Sequence, residues 1–318
     1  MPEKGWAGHG FTAYYRSLSL PLPPSSPCQR GEKVLTGLVG RGILSSRSPW
    51  MHEQEADAHG VRLIYSLFDF DARNWGDDRL DAVLNAAQML GFAGVNVTYP
   101  FKQAVIPLLD DLSDGARRVG AVNTVSFAGG RKMGYNTDVT GFGQSVKEGL
   151  AGASMGSVVQ MGCGGAGSAT AHALLELGVD RLTLFDSDAA RCATLIAQLT
   201  QSFGAGRACA GDDLAAVLST SDGIVNATPM GMKAFPGLPV PAELIHHRHW
   251  VADIVYFPLE TALLREAGLK GCRTLNGSGM AMHQAASAFE IFTGLEANRE
   301  RMHRSFLDFM GSTSPLAA

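Results

Sequence analysis

The segment Ser157 to Ala169, SVVQMGCGGAGSA, constrains the fold more than any other. SVVQM is a continuous apolar run of strand character, and SATAHALLELG after the glycines has the composition of a helix. Gly162, Gly164 and Gly167 stand between them in G-x-G-x-x-G spacing. A strand before and a helix after make this a dinucleotide-binding turn rather than a plain glycine-rich loop. Gly162 allows the tight turn, Gly164 lets a pyrophosphate approach the backbone, and Gly167 lets the helix pack on the strand. The helix start, at Gly165 and Ala166, offers unpaired N–H groups to the phosphates.

The next strand, RLTLFD, ends in Asp186, about 20 residues past the last glycine, where an acid accepts hydrogen bonds from the adenine ribose of NAD. A 2′-phosphate would be repelled there, so NAD is the expected cofactor, with NADP possible. Arg191, one helical turn on, could offset that repulsion or pair with Asp186 or Asp188. Asp186 also suits the N-cap of the following helix, a role that Asp188 could fill instead.

A length of 318 residues suggests two domains. Strands and helices alternate along most of the chain, which argues for α/β architecture with largely parallel sheets. From Ser157 onward the pattern is a βαβαβ unit with short connections, a Rossmann doubly wound domain. Boundaries are expected near residues 138 and 277. They divide the chain into an α/β substrate-binding domain (34–138 plus 278–318) and a dinucleotide-binding domain (139–277). The last two helical stretches are too long and apolar to be a tail and are expected to dock on the first domain. Residues 1–33, rich in Pro and Ser and without periodicity, are expected to be a disordered arm. Ser48 is expected to cap one helix, with Pro49 at its first position, and Thr137 to cap another. KQAVIPLLDDL is expected to be helical throughout.

The net charge of −4 argues against nucleic acid or an anionic membrane as partner. No apolar run approaches the ~20 residues that span a bilayer. The five cysteines form no C-x-x-C pair, which points away from zinc and disulfides and towards a reducing cytoplasm. His246, His247 and His249, in HHRH, read as a polar face, and no metal site is expected.

NVTYPFKQAV, Asn96 to Val105, breaks a local rule: it puts Lys102 where a helix should begin, against the helix dipole. Taken alone, Lys102 is equally a solvated surface lysine. Asn123, in AVNTV, is a polar residue within a short apolar strand and must find a partner.

The order and spacing of SSRSPWMH, GVNVTYPFKQ, GAVNTV, GYNTDVTGF, GCGGAG, NATPMG and GMAMHQA resemble the shikimate/quinate dehydrogenase family from about residue 34 to 310. The resemblance is strongest to the NAD-using branch, because Asp186 stands where NADP-using members usually carry an Asn-Arg-Thr/Ser motif. It implies reversible hydride transfer between NAD and the ring C3 hydroxyl of shikimate or quinate, in a cytoplasmic monomer or homodimer of the shikimate pathway. It implies Lys102 and Asp138 as the catalytic pair, and Ser46 and Ser48 as holders of the substrate carboxylate. Thr98, Asn123, Thr137, Tyr256 and Gln284 would surround the substrate's polar groups. Asn226, Thr228, Met230, Val255, Gly279 and Met280 would line the cofactor side. His52 and His283 lie beside these motifs as helix residues. Ser48 replaces the threonine frequent in quinate-preferring members, and Asn276 replaces a common aspartate. Two other readings stay open: an NADP-dependent biosynthetic enzyme, and a non-catalytic dinucleotide sensor.

Overall fold

A computed structural model describes residues 26–311. Its first sheet is built by β1 (Lys33–Gly40), α1 (Ser48–Ala58), β2 (Arg62–Asp69), α2 (Leu80–Met89), β3 (Gly94–Val97), α3 (Phe101–Ala104), β4 (Asp111–Leu112), α4 (Asp114–Val119), β5 (Thr124–Ser126) and β6 (Met133–Tyr135). The strand order is β2-β1-β3-β5-β6-β4. β2, β1 and β3 run parallel, whereas β5 is antiparallel to both β3 and β6. Helix α5 (Thr137–Gly149) then leads into the second unit.

That unit comprises β7 (Ser157–Met161), α6 (Gly165–Glu176), β8 (Arg181–Phe185), α7 (Ala189–Phe203), β9 (Ala208–Ala210), α8 (Leu214–Leu218), β10 (Gly223–Asn226), β11 (Trp250–Asp253), α9 (Ala262–Leu269) and β12 (Arg273–Leu275). Its strands are parallel throughout, in the order β12-β11-β10-β7-β8-β9. The order reverses between β7 and β10, so the crevice at their carboxyl ends is the topological switch point where such sheets bind ligands. The central strands β7, β10 and β11 are buried along most of their length, as in parallel sheets with both faces covered.

Helices α10 (Ser278–Thr293) and α11 (Arg299–Gly311) return to the first unit. Met302 and Phe306 of α11 join the core that holds Val34, Leu38 and Met51. The buried Glu55 carboxylate of α1 accepts two 2.7 Å bonds from Arg301 and one of 2.8 Å from the Asn298 N–H. α10 lies against α5 at Gly141, where an added Cβ would come within 2.9 Å of the Gln284 nitrogen and the Met280 carbonyl. The two helices that link the sheets are therefore packed backbone to backbone.

Several local expectations are corrected. Of the arm expected over residues 1–33, residues 1–25 lie outside the described part. Residues near Lys33 are bonded to the core: the Cys28 N–H reaches the Thr293 carbonyl and the Gly31 N–H that of Gly60, both at 2.8 Å. Arg47, not Ser48, occupies the α1 N-cap, and no side chain caps it. Asn136, not Thr137, caps α5, its side chain accepting from the N–H groups of Asp138 and Val139. The helix expected after Lys102 is one turn, followed by a 3-10 turn at Ile106–Leu108 and then β4. Pro107 has no N–H with which to continue the ladder. No helix among the described residues is long and apolar enough to cross a membrane.

Candidate functional site

Lys102 lies in α3, just past the end of β3, and Asp138 in the first turn of α5. Lys102 Nζ is 2.6 Å from Asp138 Oδ2. Asp138 is buried, and Lys102 keeps 20% of its side chain exposed, so the pair is open to solvent on the lysine side. The helix dipole does not account for this lysine, since α3 is too short to have much of one. The fixed carboxylate opposite it does.

Asn123 and Thr137 adjoin this pair. Asn123 Nδ2 donates to Thr137 Oγ1 at 2.9 Å, and Asn123 Oδ1 accepts the Thr137 N–H at 2.8 Å. Both residues are almost completely buried. Asn123 therefore has the partner that its place beside a strand demanded. Tyr256 presents 45% of its surface to solvent. Its phenol still titrates above the ordinary value, mainly because the hydroxyl is desolvated, with Asp138 adding to the rise and Lys102 and Arg47 opposing it. Its ring packs edge-on to Phe306 of α11, 6.0 Å between centroids. Thr98 is half-buried, its carbonyl accepting the Phe101 N–H in the turn that carries Lys102. Ser46 and Ser48 are half-buried at the start of α1, and Ser46 Oγ accepts the Ser48 N–H at 3.3 Å. Gln284 faces α5 from α10.

The glycine turn has the geometry of a phosphate cradle. Gly162 adopts φ +100°, and a Cβ there would strike the Ala227 carbonyl. A Cβ on Gly167 would collide with the Gly162 carbonyl, so helix α6 sits as close to β7 as backbones allow. Nothing lies within 4 Å of where a Gly164 side chain would be. The room for a pyrophosphate is therefore on that side, facing the amino end of α6. A Cβ on Gly165 would stand 3.7 Å from Lys102 Cδ, so the loop of the second sheet touches the lysine of the first.

Asp186 closes the turn behind β8. Its Oδ2 accepts the Cys163 N–H at 2.7 Å, and its Oδ1 the Asp188 N–H at 2.9 Å. Asp188 is the N-cap of α7, which leaves Asp186 free of that duty. Arg191 lies 3.5 Å from both carboxylates.

The other expected site residues are also tied into the architecture. Asn226 is fully buried and spends its amide on Met230 O and Asp253 Oδ1, both at 2.9 Å, and on Thr228. Its side chain shapes the loop after β10. The Thr228 hydroxyl is used in the same loop, accepting the Met230 N–H. The Val255 N–H binds Asp253, whose carboxyl titrates above its ordinary value because it is desolvated. Gly279 packs on Ser145 of α5, and Met280 is buried beside it. The HHRH segment is local structure too: the His249 ring bonds the Leu218 carbonyl and the His246 N–H. Among the described residues no group of three or more His, Cys, Asp or Glu side chains could hold a metal ion. All five cysteines are free.

Sequence reasoning missed Tyr65, Asn96 and Thr124, which are buried behind Asn123 and hydrogen-bonded to one another. Asn96 carried the signal that found Asn123, a polar residue inside a strand.

A doubly wound sheet with a phosphate-cradling turn, facing an amine–carboxylate pair on a second domain, defines a two-domain dehydrogenase that uses a nicotinamide dinucleotide. Residues 38–125 match the shikimate dehydrogenase substrate binding domain, and residues 277–305 the shikimate 5′-dehydrogenase C-terminal domain. A shikimate dehydrogenase (NADP+) of Streptomyces avermitilis is 49% identical over 285 residues, 89% of this chain and 98% of that one. A quinate/shikimate dehydrogenase (NAD+) of Corynebacterium glutamicum is 46% identical over 281 residues, 87% of this chain and 99% of the relative. The structure of a quinate dehydrogenase from Corynebacterium glutamicum in complex with NAD superposes with a TM-score of 0.83 at 44% identity, covering 87% of this chain and all of that one. The chain belongs to the shikimate dehydrogenase family, as oxidoreductases that act on a CH–OH group with NAD or NADP.

Proposed function

We propose that this enzyme uses NAD in preference to NADP, and that it interconverts the C3 hydroxyl of shikimate or quinate with the corresponding ketone. The 2.6 Å Lys102–Asp138 contact beside the glycine turn carries this reading. A bound NAD would supply the hydride acceptor for the alcohol carbon, and its reduced form the donor for the ketone. The Gly162–Gly167 turn and the start of α6 would hold its pyrophosphate, and Asp186 its adenine ribose. Lys102, once it has shed a proton, accepts the proton of the substrate hydroxyl. Asp138 fixes the direction of the amine and stabilises the ammonium that forms. Ser46 and Ser48 hold the substrate carboxylate, and Asn123, Thr137, Thr98, Tyr256 and Gln284 surround the ring hydroxyls. In this reading residues 34–138 and 278–318 form the substrate domain and 139–277 the NAD domain. The free cysteines support a cytoplasmic setting.

Initial rates for shikimate and quinate, each with NAD and NADP, test the proposal. The highest kcat/KM is expected with NAD. Turnover of neither acid overturns the substrate assignment. A preference for NADP overturns the role given to Asp186, and a specific observation favours that second reading: Arg191, at 3.5 Å from Asp186, could meet a 2′-phosphate.

A further inference from the structure

Behind Asn123 lies a chain of buried side chains whose hydrogen-bond directions are forced. The Thr137 N–H can only donate, so the Asn123 atom 2.8 Å from it is the carbonyl oxygen. The Asn123 main-chain carbonyl can only accept, so the Asn96 atom 3.3 Å from it is the amide nitrogen. That nitrogen also donates to Thr124 Oγ1 at 2.9 Å. Thr124 has one hydroxyl proton, which goes to Asn123 Oδ1 at 3.1 Å. At the far end the Tyr65 hydroxyl donates to Asn96 Oδ1 at 2.8 Å. The order of donation is therefore Tyr65 to Asn96 to Thr124 to Asn123 to Thr137. Asn123 is left with one amide proton not used in the chain. Thr137 Oγ1 accepts the other at 2.9 Å and lies 3.2 Å from Asn123 Oδ1, to which its own proton is donated.

Thr124 is fully buried and touches no cleft. Its hydroxyl is held between the Asn96 amide nitrogen and the Asn123 amide oxygen. A residue that only filled space would not need the hydroxyl. We propose that Thr124 is a positioning residue: by donating to Asn123 Oδ1, with Asn96 and Tyr65 behind it, it holds the Asn123 amide with its N–H side towards the substrate. The site then presents the remaining Asn123 amide proton to an oxygen atom of the polyol acid. The inference rests on the reading of Asn123 and Thr137 as substrate-binding residues.

Thr124→Val keeps the volume and removes the donor, while Thr124→Ser keeps the donor. For Thr124→Val the KM of shikimate and its calorimetric dissociation constant are expected to rise about tenfold, the loss of roughly one hydrogen bond. kcat should change less than about threefold, and the KM of NAD should stay at the wild-type value. Thr124→Ser should restore shikimate binding. Tyr65→Phe combined with Thr124→Val should be no worse than Thr124→Val alone, since the two act in one chain. Unchanged shikimate binding in Thr124→Val overturns the inference, as does an equal rise in the KM of NAD, which marks general loosening. Absence of wild-type turnover on both acids overturns the functional reading together with this inference. A normal wild-type enzyme with a silent Thr124→Val overturns the inference alone.

Discussion

Lys102 Nζ and Asp138 Oδ2 stand 2.6 Å apart, one on the helix after β3 and the other at the start of α5. The amine is the partner of a carboxylate that is buried at a helix start, so its removal costs chemistry and some stability, and kcat is the readout that separates the two. Lys102→Ala is expected to lose 10²-fold or more in kcat, the scale of general acid–base catalysis, with a lowered Tm and an NAD dissociation constant near the wild-type value. Stopped-flow turnover with fluorescence titration of NAD checks it. Near-normal turnover would remove Lys102 from the mechanism.

Asp186 ties the turn through the Cys163 N–H, and in the proposed reading it also turns a negative edge towards the adenine ribose. Asp186→Ala removes both. The KM of NAD should rise about tenfold, as for a lost hydrogen bond to a charged group. The kcat/KM with NADP should rise, because Arg191 would then face a 2′-phosphate without a competing carboxylate. If the ratio of NADP to NAD efficiency stays the same, Asp186 does not select the cofactor.

The glycine turn and the strand–helix alternation were legible because each rests on local spacing. Gly162 and Gly167 need backbone geometry that no other residue supplies, so their positions announce it. Asn123 could be singled out because a polar group in an apolar strand must be satisfied. The chain behind it could not be traced, since Tyr65, Asn96 and Thr124 come from three strands and meet only across the sheet. Asn226 shows the same limit: its motif is that of a loop beside a cofactor, and the bond of its amide to Asp253, on a neighbouring strand, could not be read from it. The helix expected after Lys102 failed at Pro107, a local signal outweighed by the apolar run around it. The Ser48 and Thr137 caps were each misplaced by one residue, the usual slack at helix ends.

Gly141 tests the coupling between the two units. A methyl there would meet the Gln284 nitrogen and the Met280 carbonyl, which are backbone and cannot swing aside. Gly141→Ala should separate α5 from α10 and cost about 1–3 kcal/mol, as overpacking does. A calorimetric Tm lower by several degrees is expected, together with a raised KM for the acid, because Thr137 and Asp138 lie on one of the displaced helices and Gln284 on the other. A Tm equal to wild type would show that the helices have slack at this contact.

His52 should make the protein sensitive to acid. Its ring is buried against Tyr65, Phe289 and Phe292, and neither nitrogen has a hydrogen-bond partner among the described residues. Burial pushes its pKa down from the ordinary 6.5 to about 3. Between these values the unfolded chain binds a proton that the native chain does not. Stability from this group is thus full above pH 6.5 and is lost as the pH falls towards 3, by about 1.4 kcal/mol for each pH unit. His172, His249 and His283 are also shifted down, each mainly by desolvation, and push the same way. Urea unfolding at pH 7, 6 and 5 should show falling stability. His52→Phe removes the titrating group and should flatten the slope below pH 6.5, with the remaining histidines supplying what is left. A variant whose stability falls in parallel with wild type would show that His52 is hydrated and titrates normally.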